Sequence, residues 1–245
     1  MTETFDGPEA ALALKANPHD FLIDTKASFA GLNYGTLPGS STEGLLFQMK
    51  ALRQPAPEKL ATHDLFMVTR DPAYGLDVQV LLDKPQFPGV LPIRLAVGEG
   101  GPDTGVRFLR WQENKLTGTV LDANATLVFT GPLQGCDIYV ATVPGGLGTG
   151  PAQTILMHVN ANDAPTEAEN GPIKTEKANA FAAAMGGSAI THHLARADYA
   201  PASGDAYNGF VYGKKRDDGS WGFFVYTLIL GASATTHRLG PLPPA

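Results

Sequence analysis

Between residues 65 and 130 the chain is written as short β-rich runs broken by turn residues, and this pattern confines it to a sheet-based fold. The runs are Leu65–Thr69, Leu76–Leu82, Ile93–Val97, Val106–Trp111, Gly118–Leu121 and Ala125–Thr130. Asp71-Pro72, Lys84-Pro85, Gly100-Gly101-Pro102 and Glu113-Asn114 separate them. Short strands at this spacing predict a β-sandwich or a mixed sheet. Two hairpins extend the series. Asp137–Ala141 and Ile155–Asn160 flank a loop from Pro144 to Pro151. Asn208–Lys215 and Trp221–Leu230 flank Arg216–Ser220, where Asp218-Gly219 is a strong turn signal.

Helical patterns surround these strands. Glu9–Ala16 is rich in helix formers and is closed by Asn17-Pro18. Glu43–Arg53 has apolar residues at helical spacing and stops at Pro55. Thr175–Met185 is the strongest helical stretch and ends at Gly186-Gly187. Phe21–Asp24 is expected as a strand, Ala30–Thr42 and Ala164–Gly171 as loops, and the tail from Gly240 as loose. Ala189–Ala197 fits either helix or strand. With no repeat, low-complexity tract or clear linker, residues 1–245 read as one domain. The expected class is α+β, a mixed β-sandwich of short strands flanked by helices.

Composition narrows the partners. A formal net charge of -6 disfavours a broad phosphate-binding surface, so nucleic acid is not an expected partner. The longest apolar run, Gly222–Ala234, is shorter than the roughly 20 residues of a membrane span. Met1–Pro8 has neither the basic nor the apolar region of a signal peptide. The chain therefore reads as soluble and monomeric, and any export would use a route without a cleavable signal. Its single cysteine excludes an intrachain disulfide.

That cysteine, Cys136, is the first candidate for chemistry. A free cysteine is often only a small buried hydrophobe. Here Gly135 permits close approach of a backbone or substrate, and Gly131-Pro132 fixes the turn before it. Peptide N–H groups around Gln134, Gly135 and Cys136 are thereby placed to face one concavity, as an oxyanion hole requires. His158 sits mid-strand, where an ionisable residue is unexpected, and alternation puts it on one face with Leu156 and Asn160. The hairpin would set Cys136 and His158 side by side, a thiol beside its base. His192-His193 lacks companions at metal-ligand spacing, so neither a metal nor a cofactor is expected. His19, His63 and His237 lie in polar or turn-like contexts and read as solvated. Gly146-x-Gly148-x-Gly150 lacks the lysine and helix of a nucleotide loop, and Lys214-Lys215-Arg216 reads as a solvated hairpin tip.

Thr130-x-x-Leu133-x-Gly135-Cys136, followed by a strand, a glycine-rich turn and His158-Val-Asn-Ala161, resembles the cytotoxic necrotizing factor and Burkholderia lethal factor group over Leu127 to Ala161, about 35 of the 245 residues. These bacterial toxins deamidate glutamine side chains in host proteins. The resemblance implies a nucleophile at Cys136, a base at His158 and an orienting hydroxyl at Thr130, six positions before the cysteine. It implies a target protein with a reactive glutamine, a Rho-type GTPase or a translation-initiation helicase in the family precedents. Gln134 stands where the family has serine, and the turn before His158 is longer. Two other readings stay open: a non-enzymatic β-sandwich that binds protein or carbohydrate, and a cysteine amidohydrolase acting on another substrate.

Overall fold

The computed structural model describes residues 7–24, 27–33, 45–47, 66–69, 75–80, 91–98, 105–109, 111, 116–121, 123–133, 135–145, 150–161, 166–184, 189–231 and 235–245. In order they form α1 (Gly7–Ala16), α2 (Pro18–Asp24), β1 (Ala27–Asn33), β2 (Leu45–Phe47), β3 (Phe66–Thr69), β4 (Gly75–Val80), β5 (Leu91–Gly98), β6 (Val106–Leu109) and β7 (Leu116–Leu121). Then follow β8 (Leu127–Thr130), β9 (Asp137–Gly145), β10 (Gly150–Val159), α3 (Glu167–Ala184), β11 (Ile190–Leu194), α4 (Arg196–Tyr199), β12 (Ala206–Lys215), β13 (Trp221–Leu230) and β14 (Thr235–Pro241). The class is α+β, as the strand series predicts.

Two sheets form the sandwich. One runs β11-β9-β10-β7-β3-β2 and the other β14-β13-β12-β8-β6, each mixing parallel and antiparallel pairs. A separate three-stranded sheet runs β1-β5-β4. The inner faces of the two large sheets share one apolar cluster: Leu121, Ile138, Val140 and Leu156 from the first meet Val128, Val211, Phe223 and Val225 from the second. Alternate residues point outward. Phe129, Phe210, Tyr212 and Tyr226 are covered by Leu14 of α1 and by Phe21 and Leu22 of α2. Tyr139, Ala141, Ile155 and Met157 are covered by Ala178, Phe181 and Ala182 of α3. The order of layers is helix, sheet, sheet, helix. Leu14 and Leu22 are fully buried, and each contributes roughly 1.5–3 kcal/mol.

Several local expectations change. Phe21–Asp24 is helix, because Pro18 opens α2 at its first position and the Asn17 side chain accepts the Asp20 N–H at 3.3 Å. β1 reaches into the expected loop at Ala30, and Leu45–Phe47 pairs with β3 instead of forming helix; the rest of Glu43–Arg53 lies outside the described residues. α3 begins eight residues before Thr175. Thr166 and Glu169 form a reciprocal cap there: Glu169 N–H donates to the threonine hydroxyl and Thr166 N–H to the carboxylate. Pro172 lies inside the helix, in its second turn. Ala189–Ala197 resolves into β11 and the start of α4. The tail is not loose. Leu242 is buried, its N–H donates to Phe223 O at 3.0 Å, and Ala245 N–H donates to Thr191 O at 3.1 Å.

Gly213 on β12 lies between its ladder partners Phe223 and Val128. A Cβ there would come within 2.7 Å of the Phe223 ring and 2.8 Å of Val128 Cγ1. Gly213→Ala is expected to destabilise the protein by about 1–3 kcal/mol. Urea unfolding should show the midpoint falling with the slope unchanged.

Candidate functional site

The chain crosses from one sheet to the other between Thr130 and Asp137. Thr130 ends β8 in the second sheet and Asp137 begins β9 in the first. Leu133 bridges to Gly209 midway. Gly135 has φ +91°, the left-handed region that glycine adopts without strain, and this turns the chain into β9. The candidate cysteine therefore sits at the first bend of a central strand, not in an exposed loop.

The ladder between β9 and β10 fixes the faces. Ile138 pairs with His158 and Asp137 with Val159, so the next step sets Cys136 opposite Asn160. Asn160 Nδ2 donates to Cys136 Sγ at 3.2 Å. His158 lies on the same inner face, diagonally offset; on a regular ladder such diagonal positions are roughly 7–8 Å apart. The expected thiol–imidazole pair is thus corrected: both side chains share a face, but the partner on the sulfur is an amide. Neither imidazole nitrogen finds a hydrogen-bond partner among the described residues. Sγ is fully enclosed, since Cys136 is 0% and His158 1% exposed.

The other predicted residues have structural partners. Thr130 Oγ1 accepts the Val211 N–H at 2.9 Å and donates to Gly131 O at 2.9 Å, so its hydroxyl finishes the β8–β12 ladder and does not hold the imidazole. Gly135 N–H donates to the Tyr199 hydroxyl at 3.0 Å, and that hydroxyl donates to Cys136 O at 2.8 Å. Burial raises the phenol's pKa and keeps its proton in place. Gly135 N–H is consequently already engaged as a donor, and Gln134 lies outside the described residues.

On the outer face the neighbouring residue anchors a second polar group. Asp137 Oδ1 accepts from Lys174 Nζ at 3.1 Å, and Asp137 Oδ2 from His193 Nε2 at 3.0 Å. Lys174 also donates to Gly135 O at 2.7 Å and to Glu167. His193 stacks on Tyr139 with ring centroids 4.2 Å apart, whereas His192 meets Phe223 edge-on; the pair diverges across the sheet, as alternation requires. Among the described residues no grouping of three His, Cys, Asp or Glu side chains is set to hold a metal. His19 and His237 are not simply solvated: Nδ1 of His19 lies 3.2 Å from the Tyr212 hydroxyl, and His237 stacks on Tyr226. His63 lies outside the described residues.

Sequence reasoning placed Asn160 on the right face but gave it no role, and it missed Lys174 and Tyr199. No local signal marks those two, which lie 39 and 63 positions from the groups they bind. No helix among the described residues is long and apolar enough to cross a membrane.

Burial lowers the pKa of His158 from 6.5 to about 3, with nearby Asp137 opposing the shift. Between those values the unfolded chain takes up a proton that the folded chain refuses, so stability falls as pH drops below 6.5. The group alone should cost about 1.4 kcal/mol per pH unit in that window. Urea unfolding from pH 7 to pH 5 should show this slope in the wild type and lose it in His158→Leu. No family model matches the chain, and no match to it is found among curated proteins or solved structures.

Proposed function

We propose that the chain is a cysteine-dependent deamidase that converts a glutamine side chain of a target protein to glutamate, in the manner of a toxin or translocated effector. One observation carries the reading. Cys136, His158 and Asn160 lie on one face of one hairpin, and His158 is buried there with both nitrogens unsatisfied. A buried polar group without a partner costs about 1–3 kcal/mol, so packing alone gives no reason for a histidine at that position.

The chemistry balances with these groups. His158 takes the thiol proton, and Sγ attacks the carboxamide carbon to form a C–S bond and an oxyanion. The oxyanion collapses, the C–N bond breaks, and the imidazolium proton leaves with ammonia. His158 then draws a proton from water, whose oxygen attacks the thioester. The C–S bond breaks, glutamate departs and the thiol is regenerated. Asn160 Nδ2 donates to the sulfur on which the thiolate would develop.

In the closed arrangement the imidazole makes no hydrogen bond to sulfur and is a weak base. A rotamer change and entry of substrate must precede attack. Hydrating the ring would return its pKa toward 6.5, so the opening that admits the glutamine also restores the base.

A second reading is favoured by the full burial of Cys136 and by the Tyr199 hydroxyl on Gly135 N–H. In it the chain is a non-enzymatic sandwich that binds through its loops. Iodoacetamide at neutral pH separates the two: a buried structural thiol reacts only on unfolding, whereas a nucleophile reacts in the folded state. Host lysate treated with wild-type protein should contain glutamines converted to glutamate by mass spectrometry, and lysate treated with Cys136→Ser should not. Equal conversion with both proteins would sink the deamidase reading.

A further inference from the structure

We propose that the cleft between α4 and the β13–β14 edge is a binding site for a free α-amino acid with an apolar side chain, held as its zwitterion by Asp198 and Arg238. The inference goes beyond the deamidase reading and uses no step at Cys136.

The cleft has a volume of about 260 Å³. Sites for drug-sized ligands span roughly 300–1,000 Å³, so this one suits a smaller molecule. Strand register gives it two ends. Thr227 pairs with Arg238, and Val225 pairs with Gly240. Cross-strand partners and alternate residues share a face, so all four positions lie on the inner face, where Val225 packs. Thr227 and Arg238 make one end polar, while Val225 and Gly240 make the other apolar. A Cβ on Gly240 would meet nothing within 4 Å, so the missing side chain leaves room at the apolar end. Leu194 of β11 and Asp198 of α4 complete the lining.

The two charges do not neutralise each other. Arg238 donates to Tyr199 O at 2.8 Å, and Asp198 accepts the Ala195 N–H at 2.8 Å. Both side chains are exposed. A third polar group lies deeper. Thr227 is 2% exposed, and its hydroxyl has no hydrogen-bond partner among the described residues. Leaving such a group unpaired is costly, which points to a partner supplied from outside the chain.

An α-amino acid supplies all the complements from one carbon. Its ammonium meets the Asp198 carboxylate, and its carboxylate meets the Arg238 guanidinium and the Thr227 hydroxyl, in charge-assisted hydrogen bonds. A dipolar ligand without net charge matches a site with one charge of each sign. Its side chain then lies over Gly240, against Val225 and Leu194, where a further charge would find no partner.

The test is a methyl-resolved NMR titration of the whole protein with L-leucine. Signals of Leu194, Val225 and Thr227 should move together and approach saturation by about 10 mM, while those of Ile155 and Met157 under α3 stay in place. Leucinamide lacks the carboxylate and N-acetyl-leucine lacks the ammonium, so each should bind about tenfold more weakly. Asp198→Asn should weaken leucine by a similar factor and leave N-acetyl-leucine unchanged. Gly240→Leu fills the cleft and should abolish the shifts. If that variant fails to fold, Gly240→Ala should still weaken leucine several-fold. Static signals at 10 mM, equal affinity for leucine and both derivatives, or unchanged binding in a folded Gly240 variant overturns the inference. A failed deamidase assay leaves it standing.

Discussion

The register of β9 against β10 is the constraint from which the rest follows. Side chains alternate along a strand, so a slip of one residue would exchange every inward group with its outward neighbour. Both faces of this hairpin are apolar, with Ile138, Val140 and Leu156 inside and Tyr139, Ala141 and Met157 outside. Hydrophobicity alone therefore separates the two registers weakly. The polar residues at the hairpin's end separate them well. Asp137 must face α3 to meet Lys174 and His193, and Cys136 must face inward to meet Asn160. A slip would put a carboxylate between the sheets without partners, a penalty of several kcal/mol.

This arrangement divides the sandwich interior along its length. Toward Leu121, Val140 and Phe223 it is a conventional apolar core. Toward the start of β9 it holds Thr117, Thr130, Cys136, His158 and Asn160, all nearly or fully buried. Thr130 and Asn160 are tied to backbone or sulfur. His158 is the exception, and its neutral, dehydrated ring is the clearest departure from what stability would favour. Across the sheet the Lys174 cluster does the opposite: a buried cation is fully satisfied and stiffens the bend that presents Cys136. The rigid frame and the unsatisfied ring sit back to back on a single strand.

Much of the fold was legible because it is local. Strands from Phe66 to Thr130 and the hairpin over Asp218-Gly219 carry β-rich runs and turn residues in their own sequence. The errors fell where a signal has two meanings. Asn17-Pro18 ends one helix and begins the next, Thr166-x-x-Glu169 caps a helix whose second turn contains a proline, and the proline-rich tail is held by the burial of Leu242 and by main-chain hydrogen bonds to Phe223 and Thr191.

At the candidate site the sequence alone determined that a single cysteine and a mid-strand histidine belong to one hairpin, because period-two alternation and turn chemistry act within a few residues. Tertiary structure decided the pairing. It put Asn160 rather than His158 on the sulfur, gave Thr130 a ladder role, and brought Lys174 and Tyr199 to the bend at Gly135. Those contacts join elements far apart in the chain, and their geometry is set by how two sheets and their covering helices stack, which no local pattern encodes.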